Sequence, residues 1–264
     1  MSLEFLSPAG GAADGGEPPI ARSPMERGAR AAGARFEVRD GFNVAVSYGT
    51  SSVDAGAEGD AARRRCGWAD VSHRAKLELQ GSPSRLSALV GACADGSELE
   101  LGSATRALDA WWCPLTPTRT LVIGEPTAVA PLRPRLAESA DASGVELERS
   151  GAVSIVDVTT TLAALTLAGP LAREVFARFS ALDLRPSKTP PGALRPGSIA
   201  RQPAILICEA ENRYLFCFGW ATAEYVWSVV ADAGTHLGGR PIGLDALAEL
   251  DPVSGDRVTE ASNA

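Results

Sequence analysis

The sequence predicts an α+β protein of two similar tandem lobes with mainly antiparallel sheets, and three internal correspondences carry that expectation. Asp70-Val71-Ser72 recurs 87 positions later as Asp157-Val158-Thr159. LELQGSPSR recurs as LTLAGPLAR, each reading as strand, glycine, then a helix opened by proline. Arg119-x-Leu121 recurs 94 positions later as Arg213-x-Leu215. The growth from 87 to 94 needs an insertion, and the proline-rich run 183–198 has room for it. A small sheet with helices on one side leaves its other face open, and two copies bury those faces against each other. Each half therefore reads as a ferredoxin-like unit, and the two are expected to close face to face around a crevice.

The elements follow in order. Residues 1–22 are rich in Gly, Ala and Pro and read as a disordered tail. Ser23-Pro24 opens a helix to about Ala32, and FEVRD (36–40) and NVAVSY (43–48) alternate as short strands. Residues 49–58 read as a polar loop and 58–67 as a short helix. WADVS and KLELQG are strands, and SPSRLSALVGAC is a helix with Leu86, Leu89 and Val90 on one face. RALDAWWCPL (106–115) and TLVIG (120–124) form two strands, followed by a helix-biased segment with Pro131 and Pro134 in its first turn or breaking it. VELERS (145–150) reads as a strand.

In the second half SIVDVT, LAALTLAG and the helix PLAREVFARF precede the loop 183–198. PAILICEA and RYLFCFG form a hairpin around Glu211-Asn212, and ATAEYVWSVVADAG is an amphipathic helix stopped by Gly234. The expected organisation is a tail at 1–22, a first lobe at 23–150, a second at 151–253 and a tail at 254–264.

Composition narrows the function classes. A formal net charge of -7 gives no bulk attraction for phosphate backbones, so nucleic acid is not expected as a partner. No window approaches a membrane span and the N-terminus carries no signal-peptide pattern, so the expected location is cytoplasmic. Five cysteines without a C-x-x-C pair read as buried free thiols. No nucleophile elbow, phosphate loop or dinucleotide fingerprint is present.

DVSHRAKLELQG resembles the DVSH-x-GK-x-x-x-x-G signature of the aminomethyltransferase family. LAGPLAREVF, HLGGRPIGLDAL and SPMERGARAAGARFEVRDGFNVAVSYG resemble three further segments of that family, in the family's order. The family includes the glycine-cleavage T-protein, the folate-binding domains of sarcosine and dimethylglycine oxidases, and the sarcosine oxidase gamma subunit. The resemblance covers about residues 24–250. It implies two ferredoxin-like lobes, tetrahydrofolate as cofactor and one-carbon transfer from a methylamine-type donor. The family's C-terminal barrel is missing from this sequence, which in that respect is more similar to the gamma subunit. That likeness implies the alternative of a non-catalytic subunit beside flavoprotein partners.

The family's functional residues carry over in part. Of its acidic pair, Asp109 is kept and Ala110 stands beside it; Gly124 replaces an asparagine; the pterin-binding loop expected near 207–218 is absent; and GLDAL lacks the family's arginine. Asp109 is the catalytic candidate, as a carboxylate that positions an amine and stabilises developing positive charge. Otherwise it interrupts an exposed strand face. Trp111 and Trp112 would form a flat apolar wall for a ring, or else fill the lobe interface. His73 is a candidate base. Arg74 and Lys76 would receive a glutamate tail by charge pairing, or else lie on the solvated face of a strand. Asp70 and Asp157 read as matching structural turns.

Overall fold

The computed structural model describes residues 19–49, 52–142 and 153–250. Residues 1–18 of the expected N-terminal tail, all of the expected C-terminal tail and the strand expected at 145–150 lie outside the described residues, while Ala21–Arg22, expected in the tail, form a short strand. The first elements are β1 (Ala21–Arg22), α1 (Glu26–Ala31), β2 (Ala34–Arg39), β3 (Phe42–Tyr48) and α2 (Ser52–Arg64). Then come β4 (Gly67–Asp70), β5 (Ala75–Gln80), α3 (Pro83–Cys93), β6 (Thr105–Ala107), β7 (Ala110–Thr116), β8 (Arg119–Gly124), α4 (Pro126–Val129) and α5 (Leu132–Ala142). The second half supplies β9 (Ser154–Asp157), β10 (Leu162–Ala168), α6 (Ala172–Phe176), β11 (Leu194–Ile199), β12 (Gln202–Ala210) and β13 (Arg213–Gly219). It ends with α7 (Ala223–His236), β14 (Arg240–Pro241) and α8 (Leu244–Glu249).

These strands form the expected mixed α+β architecture with mainly antiparallel pairing. One sheet runs β6-β7-β8-β5-β9, a second β11-β12-β13-β10-β4-β14, and a small third β1-β3-β2. Within the five-stranded sheet, β9-β5-β8-β7 is the strand order of a ferredoxin-like unit; β4-β10-β13-β12 repeats it in the six-stranded sheet. The two units exchange strands. The place beside the first strand of each is filled by the strand that precedes the other's first strand: β9 lies beside β5, and β4 beside β10.

Hydrogen bonds at the exchange show the duplication directly. Asp70 Oδ1 accepts from Ser72 N at 3.0 Å, and Asp157 Oδ1 accepts from Thr159 N at 2.9 Å. The two hydroxyls then cross over. Ser72 Oγ accepts from Ala164 N at 3.1 Å, and Thr159 Oγ1 accepts from Lys76 N at 3.0 Å. Val71 N donates to Ala164 O at 3.0 Å, and Val158 N to Lys76 O at 2.9 Å. Each aspartate closes a local turn that ends one strand and redirects the chain into the other sheet. The arrangement is a pseudo-twofold in which Lys76 and Ala164 are equivalent.

The contact between the sheets corrects the expected crevice. Trp111, Cys113, Leu121 and Ile123 of one sheet pack into one buried cluster with Ala164, Leu194, Ile207, Leu215 and Cys217 of the other. Both faces of the central strands are covered, so AWWC and TLVI read as continuous apolar runs rather than as alternation. A second cluster lies between the five-stranded sheet and α3 and α5, around Leu79, Leu86, Trp112 and Leu136. A third joins the six-stranded sheet to α6 and α7, around Trp68, Phe176, Phe216 and Trp227.

Three local differences have physical causes. α2 starts at Ser52, inside the expected loop; its polar, Gly-containing sequence has weak helix preference, and tertiary anchors at Glu58 and Ala62, both fully buried, hold it. α7 runs past Gly234 to His236. The glycine serves close approach rather than termination, since a Cβ there would lie 2.4 Å from Cζ3 of Trp68. The proline-rich run contains β11, an edge strand, where Pro196 is tolerated. All five cysteines are buried and free. Among the described residues no helix is long and apolar enough to cross a membrane.

Candidate functional site

The turn Val71–Arg74 joins β4 in one sheet to β5 in the other, so its side chains sit where the two sheets meet. His73, 6% exposed, places Nε2 3.3 Å from Glu125 Oε2. Its Nδ1 is buried without a partner among the described residues. Arg74 Nε donates to Glu125 Oε1 at 2.8 Å, and its Nη1 donates to Glu209 Oε1 at 2.9 Å. Arg213 Nε donates to Glu209 Oε2 at 3.1 Å. Glu209 lies at the bulge of β12 between Cys208 and Ala210, and the irregularity lets a carboxylate join the contact between the sheets. A series Glu125–Arg74–Glu209–Arg213 thus ties one sheet to the other.

The electrostatics follow from this pairing. Burial opposes charge on Glu125, but the His73 hydrogen bond and the Arg74 charge prevail and hold its carboxyl down at about 2. Burial likewise opposes ionisation of Glu209, and Arg74 with Arg213 keeps it below the usual carboxylate range. Both acids are therefore anions at neutral pH, and the arginines complete charge-assisted pairs.

Lys76 is fully buried. Its Nζ donates to Ser72 O at 2.9 Å and Arg74 O at 2.7 Å, bracing the turn from within. Burial pulls its pKa down to about 8. Because the unfolded chain binds this proton more tightly, ionisation of Lys76 opposes folding in full below about pH 8, and the penalty fades as pH rises toward the ordinary lysine value. Between about pH 8 and pH 10 the free energy of unfolding should rise by about 2 kcal/mol from this group. Urea unfolding across that range, compared with Lys76→Met, checks it: the buried thiols titrate in both proteins, so the parent should gain about 2 kcal/mol relative to the variant. An equal rise in both proteins would refute the assignment.

Asp109 is not in a strand. Leu108 and Asp109, at φ 51° and 58°, make the tight turn between β6 and β7, and Asp109 is exposed. Ala110 pairs with Gly124, and Gly124 with Ala75. The next row at that end of the sheet therefore holds Asp109, Glu125 and Arg74. Trp111 and Trp112 alternate across β7. Trp111 enters the contact between the sheets, with the Arg106 guanidinium 5.6 Å from its ring centre. Trp112 is fully enclosed under the helices and donates Nε1 to Ala107 O at 3.2 Å. The two indoles face opposite ways, so they do not form one wall for a ring.

Arg74 and Lys76 are also not free cations on a solvated face. Their donors are committed to Glu125, Glu209 and backbone carbonyls. They do not fit the role of receiving a folate glutamate tail. Sequence reasoning missed Glu125 and Glu209. The signal for Glu125 was the register: pairing KLELQ with RTLVI antiparallel sets residue 125 opposite residue 74. Glu209 carried no signal, because a bulge cannot be read from alternation.

The pairs occur in one copy only. Where the first half has Gly124-Glu125, the second has Phe218-Gly219 at the matching end of β13, with no side chain at Gly219 to pair, and Leu162 stands opposite Gly219 where Arg74 stands opposite Glu125.

Known structures share this architecture. Aminomethyltransferase T of the glycine cleavage system from Bartonella henselae superposes with a TM-score of 0.67 at 14% identity, over 86% of this chain and 60% of that one. The chain thus spans about three fifths of that transferase. A chain of heterotetrameric sarcosine oxidase from Corynebacterium sp. U-96 superposes with a TM-score of 0.55 at 18% identity, over 70% of this chain and 93% of that one. No protein-family model matches the sequence, and no curated protein matches it. At these identities the likeness establishes the fold.

Proposed function

We propose that the chain serves folate-linked one-carbon chemistry as a non-catalytic subunit packed against larger flavoprotein partners. The observation that carries this reading is the filled contact between the two sheets. Apolar side chains occupy the space where a ligand channel was expected, and the residues assigned to a folate tail are consumed in internal pairs. The overlap of 70% of this chain with 93% of one chain of heterotetrameric sarcosine oxidase supports the same reading. Fractionation of a native extract tests it. The chain should migrate well above the mass of one copy, with larger subunits and flavin absorbance in the same fractions. Migration as a lone monomer would overturn it.

One observation favours a second reading, that of a transferase resembling the T-protein. Asp109 is exposed in the same row as Glu125 and Arg74, with its carboxylate available to an amine. Under that reading tetrahydrofolate binds the isolated chain saturably in a calorimetric titration, and Asp109→Ala loses turnover by 10²-fold or more while binding persists. Absence of heat or saturation up to millimolar ligand removes it and leaves the subunit reading standing.

A further inference from the structure

A separate recess lies on the helix-covered side of the six-stranded sheet, away from the contact with the other sheet. α6 and residues 182–186 line an open recess of about 550 Å³ there, within the ~300–1,000 Å³ usual for small-molecule sites. Phe176, itself 1% exposed, lines it together with Leu182, Leu184 and Pro186.

This wall is built from the stretch that breaks the repeat. The link from helix to next strand runs 94–104 in the first copy and 177–193 in the second. An insertion in one copy of a duplicated fold is free of the packing duty its partner carries. The inserted loop is also stiff. Prolines 186, 190 and 191 restrict it. Thr189, 2% exposed, donates its hydroxyl to Asp183 O at 2.7 Å, and Arg185 Nε donates to both Asp183 carboxylate oxygens at 2.9 and 3.1 Å. The recess therefore exists before any ligand arrives, which lowers the ordering cost of binding.

Its charges are unequal in availability. Asp183 is neutralised by Arg185. Glu174 is exposed to water. Arg173 is half-buried and lines the recess, and its guanidinium makes no hydrogen bond or ion pair among the described residues. A guanidinium beside apolar walls, with its planar donors unspent, matches a carboxylate or sulfonate whose body is apolar. We propose that this recess binds a small organic anion with a flat apolar body, the anionic group on Arg173 and the ring against Leu182 and Pro186.

The probe is 8-anilino-1-naphthalenesulfonate, titrated into the full folded chain and followed by fluorescence. The expected result is saturable enhancement at one probe per chain. Arg173→Gln, at a half-exposed position, should raise the dissociation constant by about tenfold or more. Pro186→Glu, at the exposed rim, should weaken binding through repulsion, and the thermal midpoint of both variants should match the parent. Competition by benzoate should lower the signal in the parent and leave Arg173→Gln unaffected. Enhancement that does not saturate, or an affinity unchanged in Arg173→Gln, overturns the assignment.

Discussion

Arg74→Met should lower the free energy of unfolding by about 3–5 kcal/mol, among the largest effects of any single change in the chain. The guanidinium lies between Glu125 at 2.8 Å and Glu209 at 2.9 Å, and its side chain is only 12% exposed. Removing it leaves the Glu209 side chain, 7% exposed, with Arg213 as its remaining ion-pair partner among the described residues, and releases the tie between the sheets. The cost comes chiefly from stranding a buried charge, because the net worth of an intact buried pair is small. The double variant Arg74→Met/Glu209→Met also takes the carboxylate from buried Arg213, so it should not regain the parent's stability, but the two sites should couple by about 1 kcal/mol or more. Guanidinium chloride unfolding of parent, single and double variants measures both numbers in one cycle. A loss under about 1 kcal/mol in Arg74→Met, or strictly additive losses from Arg74→Met and Glu209→Met, would show that the series does not brace the contact.

Glu58→Ala should be comparably damaging, at about 3 kcal/mol or more. Glu58 is fully buried in α2, and its two carboxylate oxygens accept from Tyr48 N at 2.6 Å and Gly243 N at 2.7 Å. One side chain thus clamps the end of the three-stranded sheet to the start of α8. The clamp works because the backbones approach closely: a Cβ on residue 243 would lie 2.0 Å from Val46 O, which only glycine avoids. Alanine at 58 leaves two backbone N–H groups without that acceptor. Hydrogen exchange is the informative measurement. Protection at Tyr48 and across α8 should fall while the cores of the five- and six-stranded sheets keep theirs. Uniform loss across all elements, or none, would contradict a local clamp.

Much of the fold was legible in the residues. Pro83 after Ser82 marked the start of α3, the apolar runs marked β7, β8, β10 and β13, and Asp70-Val71-Ser72 against Asp157-Val158-Thr159 announced the duplication. These are local signals, or comparisons of one stretch with another. The candidate site was legible only in outline. His73, Arg74 and Lys76 stood out as a crowd, yet whether they faced water depended on which strands their neighbours joined. Asp109 was misplaced because Leu108-Asp109 takes left-handed backbone angles that neither residue advertises.

Chain order and residue pattern thus specify the strands, the helices and their repetition, since periodicity and turn chemistry act over a few residues. The exchange of β4 and β9 between sheets, the closing of the crevice and the pairing of Arg74 with Glu125 and Glu209 were settled by packing alone. Glu209 is 135 positions from Arg74. No local propensity links them; they meet because two open sheet faces must cover each other, and any charge trapped in that contact must find its opposite there.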